Sequence, residues 1–165
     1  MKSRILFYCI LFFFSCNIFQ NQKNNQELAD SSKLDVLRNN QKLPLVKMRK
    51  TPCFGKCPYF EVVIFNDGSI KYEGFKFVDK IGLYSSEINK KKVAHIEDYI
   101  RRLDFFSFDE VYDAKVTDLP SIIIEVNLNG KHHKVKGRYR MPEKFKLFTK
   151  LIDDILLGVD SWRKI

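Results

Sequence analysis

Eight residues constrain this chain more than any others: Thr51-Pro52-Cys53-Phe54-Gly55-Lys56-Cys57-Pro58. Two prolines and a glycine in so short a stretch forbid a helix and break a long strand. The segment must be a tight, stiffened loop, and strand-like runs flank it on both sides. Three chemistries compete for its two cysteines. A Cys53–Cys57 disulfide suits an exported chain; extrapolated to a five-residue ring, loop entropy gives it only about 2 kcal/mol. Its larger effect would be to fix the loop's shape and present Phe54, Gly55 and Lys56 at a rim. A metal site would recruit His132 or His133, but neighbours on a strand point to opposite faces. A redox enzyme would want two intervening residues, and here there are three. The exported context described next favours the disulfide.

The chain begins with Lys2 and Arg4, then a ten-residue apolar run from Ile5 to Phe14, then Ser15 and Cys16. That is the charged, apolar and small-residue layout of a secretory signal. The run is too short for a spanning helix, which needs roughly 20 apolar residues. The Ser15-Cys16 junction resembles a bacterial lipoprotein signal, in which the cysteine becomes the lipid-carrying N-terminus. Phe13 stands where that class usually has Leu. Residues 1–15 are therefore assigned to a lipoprotein-type signal peptide and Cys16 to lipidation. Residues 16–43, rich in Asn, Gln, Ser and Lys, are assigned to a flexible tether because they offer little to bury. Export to the cell envelope, held at a membrane through an N-terminal lipid, is the expected location.

Residues 44–165 read as a single α+β domain. Aromatic residues make up 14% of the chain, 15 of them Phe, enough for a packed core. Alternation marks strands at Leu45–Arg49, Tyr59–Phe65, Ile70–Glu73, Phe77–Tyr84, Ser121–Leu128 and Lys131–Arg138. Asp67-Gly68 and Asn129-Gly130 are hairpin turns. Asn89 caps a helix whose stripe is Val93, Ile96, Ile100 and Leu103. Pro142 opens a second helix with the stripe Phe145, Phe148, Leu151, Ile152 and Ile155, stopped at Gly158. Hairpins call for antiparallel pairing, and two one-sided helices must bury their stripes. The expectation is one twisted antiparallel sheet of about five to six strands, with both helices on one face.

Two further clusters are candidates for binding. Asp113, Thr117 and Asp118 place two carboxylates and a hydroxyl in one loop, suited to a cation or a basic group, although such residues more often fix a turn. Lys134, Lys136, Arg138 and Arg140 share a strand face that could grip phosphates or acidic glycans, although lysines also guard sheet edges. The net charge is +9, and removing residues 1–15 leaves +7. An anionic envelope component or a protein partner is the expected ligand. Nucleic acid is not expected, for want of a binding module and because the chain is exported. No catalytic residue, metal motif or phosphate-cradling loop stands out, and no cofactor is implied.

Thr51-Pro52-Cys53-Phe54-Gly55 with Cys57-Pro58, then Asp67-Gly68, Tyr72 and Gly74, resemble a bacterial family known as domain of unknown function 6438. Phe105-Phe106, Tyr112 and Val116-Thr117-Asp118-Leu119-Pro120 extend the resemblance, which runs from about Val46 to Trp162. Its members often follow secretion or lipoprotein signals, and it transfers no activity and no catalytic residue. The chain is therefore expected to be an envelope-associated binding module. One alternative is an enzyme with a site assembled near the Cys53–Cys57 and Asp113–Pro120 loops. The other is a structural or inhibitor-like domain.

Overall fold

The structure, a computed structural model, describes residues 42–114 and 118–165. The signal peptide, Cys16, the tether up to residue 41, and Thr117 lie outside the described residues.

Among the described residues, eight strands and two α-helices follow one another: β1 (Pro44–Lys50), β2 (Tyr59–Phe65), β3 (Ser69–Lys76), β4 (Gly82–Glu87), α1 (Lys90–Leu103), β5 (Val111–Tyr112), β6 (Ile122–Leu128), β7 (Lys131–Gly137), α2 (Glu143–Leu157) and β8 (Arg163–Lys164). They form one sheet in the order β5-β7-β6-β1-β2-β3-β4-β8. β1 sits at its centre, antiparallel to both β2 and β6. The class is α+β, but the expected antiparallel sheet of five to six strands is corrected on two counts. The sheet has eight strands and is mixed, because β5 runs parallel to β7. The additions, β5 and β8, are two residues long, and two residues carry no alternation to read. β4 also begins later than the expected Phe77, since Phe77 adopts φ 56° and opens a turn instead.

Alternation decides which face is buried. Val46 and Met48, Val62 and Ile64, Ile70 and Tyr72, Ile124 and Val126, and Val135 all point to one side. The stripes of both helices join them there in a single core. Ile96, Ile100, Phe145, Phe148 and Ile152 are fully buried, each stabilising the fold by roughly 1.5–3 kcal/mol. The Lys50 ammonium reaches through to Asp153 on α2 at 2.6 Å. Trp162 folds back so that its ring meets Tyr72 at 5.5 Å.

The turns follow local chemistry. The Asn89 side chain accepts the Lys92 N–H at 2.9 Å, capping α1. The helix ends where Asp104 turns left-handed at φ 53°. In the β2–β3 turn, Asp67 accepts from the Ser69 N–H and hydroxyl at 2.8 and 2.6 Å, while Gly68 takes φ 90°. Hydrogen bonding by Ser69 and the nearby Lys42 ammonium together hold the Asp67 carboxyl below its ordinary range, outweighing the opposing effect of burial.

The other face of the sheet is a lattice of paired charges. Lys47 meets Glu61 at 3.0 Å and Lys134 meets Glu125 at 2.9 Å. These pairs sit across adjacent strands, where opposite charges support the ladder.

Candidate functional site

The antiparallel meander sends the β1–β2 loop, the β3–β4 turn, the segment entering β6 and the exit of β7 to one end of the sheet. Of the residues singled out in the sequence, Cys53 to Cys57, Asp113, Lys136 and Arg138 lie at this end.

The loop between β1 and β2 is closed by a Cys53–Cys57 disulfide with the Cα atoms 5.7 Å apart, within the usual bridging range. The Gly55 N–H lies 3.3 Å from Cys53 Sγ. Phe54 stands at the tip, 94% exposed, and Gly55 and Lys56 beside it are exposed too. The root of the loop is fixed to the start of β6. The Thr51 N–H donates to the Ser121 carbonyl at 2.9 Å, and the Ser121 N–H donates to the Thr51 hydroxyl at 2.8 Å.

Ser121 links this root to the charged cluster, since its hydroxyl accepts from Arg138 Nε at 3.0 Å. Asp113 faces the same guanidinium at 3.6 Å and Lys136 at 3.1 Å. The Lys136 hydrogen bond, followed by the Ala114 N–H at 2.8 Å, holds the Asp113 carboxyl below its ordinary range. Read as separate clusters in the sequence, Asp113 of the acidic loop and Lys136 and Arg138 of the basic face are one arrangement. β5 lies alongside β7 through Lys136 N–H to Glu110 carbonyl and Arg138 N–H to Tyr112 carbonyl, both 2.8 Å. That parallel pairing carries Asp113 to the two cations.

The four residues of the basic face have different fates. Lys134 pairs with Glu125, whose carboxyl is held low chiefly by that hydrogen bond. Lys136 and Arg138 share Asp113. Arg140 lies beyond β7 in a turn with φ 47°, its guanidinium 5.4 Å from the Tyr139 ring. Asp118 is exposed.

Sequence reasoning passes over Arg49 and Tyr59. An Arg49 Nη donates to the Tyr59 hydroxyl at 2.8 Å, and Tyr59 stacks on Phe75 at 4.4 Å. Arg49 Nε is buried and has no hydrogen-bond partner among the described residues. The available signal is their shared outward alternation across β1, β2 and β3.

The histidines lie elsewhere. His133 Nε2 is 2.8 Å from the Phe108 carbonyl oxygen, inside the Phe105–Phe106 aromatic corner. His132 is 3.9 Å from Glu125, and His95 lies against Tyr99 on α1. Among the described residues, no group of three or more His, Cys, Asp or Glu side chains is arranged to hold a metal. No described helix is long and apolar enough to cross a membrane.

Fold and site together define a two-helix α+β sheet domain whose loop end is pinned by a disulfide. The chain belongs to the family described as Domain of unknown function (DUF6438), whose model matches residues 44–156. No curated protein and no solved structure matches it.

Proposed function

We propose that the protein is an exported, lipid-anchored envelope module that binds a partner through the loop end of its sheet. The observation that carries this reading is Phe54, 94% exposed at the tip of a bridged loop. A large apolar ring held out on a rigid support loses little freedom on binding, which is how anchor residues contribute affinity. The bridge itself suits an oxidising compartment. The leader, with Cys16 directly after Ser15, supplies the route out and the lipid attachment point. Asp113 is engaged by Lys136 and Arg138 rather than by an imidazole, so the geometry lends no support to a catalytic triad at this end.

The test is to label cells with a lipid precursor and compare wild type with Cys16→Ser after fractionation. Label and membrane association should both fall away in the variant. Retention of both would remove the lipid anchor from the account.

A further inference from the structure

We infer that the loop end is a membrane-docking surface: apolar tips on separate turns, interleaved with lysines, enter the interface of an anionic bilayer. The inference rests on the lipid-anchored reading above, and it names the partner of that site.

On the β1–β2 loop, the β3–β4 segment and the C-terminal strand, five exposed apolar side chains lie at this end. Phe54 is 94% exposed, Phe77 43%, Ile81 51%, Leu83 49% and Ile165 70%. Phe54 is on the β1–β2 loop, and Phe77 and Ile81 are on the β3–β4 turn. Leu83 and Ile165 are joined through the Ile165 N–H, which donates to the Leu83 carbonyl at 3.0 Å. At the opposite end the hairpin turns are the polar Asn66-Asp67-Gly68 and Asn129-Gly130, with Leu43, 42% exposed, beside the first.

The segments that carry these side chains are basic. Residues 52–58, 76–83 and 163–165 contain Lys56, Lys76, Lys80, Arg163 and Lys164 against a single acidic side chain, Asp79. The Lys76 ammonium lies 4.9 Å from the Phe77 ring and Lys80 lies 5.7 Å from Trp162. An apolar body beside an ammonium is the arrangement that suits a bilayer interface, with the ring below the headgroups and the charge among them.

The choice of a bilayer over a protein groove follows from the distribution of the tips. They stand on different turns, and a fluid interface accepts scattered tips without matching their shape. A specific protein interface instead buries a continuous, complementary patch of about 800 Å² on each partner. Lysines beside an anionic leaflet add electrostatic attraction. The tip would add interfacial contact to the anchoring that the lipid supplies. Reach permits it. Residues 16–43, if fully extended, would span at most about 100 Å, while a seven-residue strand is about 23 Å long. The chain enters at the far end of β1 and still has length to spare.

The full chain is purified in lipidated form with Trp162→Phe and Phe54→Trp, leaving one tryptophan at the tip. It is reconstituted on vesicles with brominated acyl chains, either zwitterionic or mixed with phosphatidylglycerol. On the anionic vesicles the tip emission should fall about twofold, with clearly less quenching on zwitterionic ones. Because Trp162 packs on Tyr72, the wild-type chain is also footprinted with a soluble amine reagent. There Lys56 and Lys76 should be protected on anionic vesicles, while Lys134 on the outer face labels as in free protein. Vesicle-bound chain whose tip emission stays unquenched, or whose Lys56 and Lys76 stay unprotected, overturns the docking surface and points to a protein partner for the tip. A chain that fails to float with either vesicle overturns the lipid anchor as well.

Discussion

Thr51 and Ser121 hold each other by two hydrogen bonds, 70 residues apart in the chain. This clasp joins the disulfide loop to the start of β6 and, through Arg138, to Asp113. Ser121 is 1% exposed, so its N–H has no water to turn to. Thr51→Val keeps the shape and removes the acceptor. It should cost about 1–3 kcal/mol, read as a lower urea midpoint, while Thr51→Ser should cost much less. A loss in Thr51→Ser with none in Thr51→Val would mean that the methyl group, and not the hydroxyl, matters.

Gly74 marks where the β3–β4 turn folds over the sheet. A Cβ there would meet the Lys80 carbonyl oxygen directly and Val78 Cγ2 at 2.9 Å. Gly74→Ala should cost about 1–3 kcal/mol or more, because backbone must move. Gly130→Ala is the control: its φ is 75° but nothing lies within 4 Å, so only about 1 kcal/mol of conformational strain is expected. Thermal unfolding of both variants checks the order.

Tyr72 gives the fold an alkaline limit. Burial, then the nearby Asp79 and Tyr84, pushes its hydroxyl up to about 12 from 10.0. A raised value means the folded state holds the proton more tightly. The stabilisation is therefore complete below about pH 10 and is lost as pH rises towards about 12. Tyr72→Phe should flatten that limb of the stability profile. Denaturant melts across this range, with tyrosinate absorbance as a second probe, measure it.

Asp113 acts at the acid side. Its carboxyl is held low by Lys136 and the Ala114 N–H, so its contribution is present above the ordinary carboxylate range and disappears as pH falls through the folded value. Asp113→Asn should remove part of the acid-side slope and leave the alkaline limb unchanged. An unchanged acid limb would show that the cluster adds nothing to stability.

The parts of the fold legible in the sequence are those with a local period. Ile122, Ile124 and Val126 alternate plainly, and Val93, Ile96 and Ile100 repeat at helical spacing; Ile124, Val126 and all three helix residues are core. What stays hidden depends on strand order. Nothing local places Val111 beside Lys136, so the two-residue β5 goes unseen and Asp113 reads apart from its cations. Arg49 and Tyr59 lie ten residues apart in sequence, yet their contact follows from β1 pairing with β2 around the cysteine loop. The loop itself is legible because proline, glycine and cysteine each restrict or direct the backbone in their own way.

The most direct measurement uses the protein's own protease sites. Trypsin cuts after Lys50, Lys56 and Lys71, so cleavage separates Cys53 from Cys57. In protein taken from the envelope fraction and alkylated without reductant, peptides 51–56 and 57–71 should travel as one mass and part only when a thiol is added. Two separate, alkylated peptides before reduction would contradict the bridged loop, and with it the rigid presentation of Phe54 on which the binding end depends.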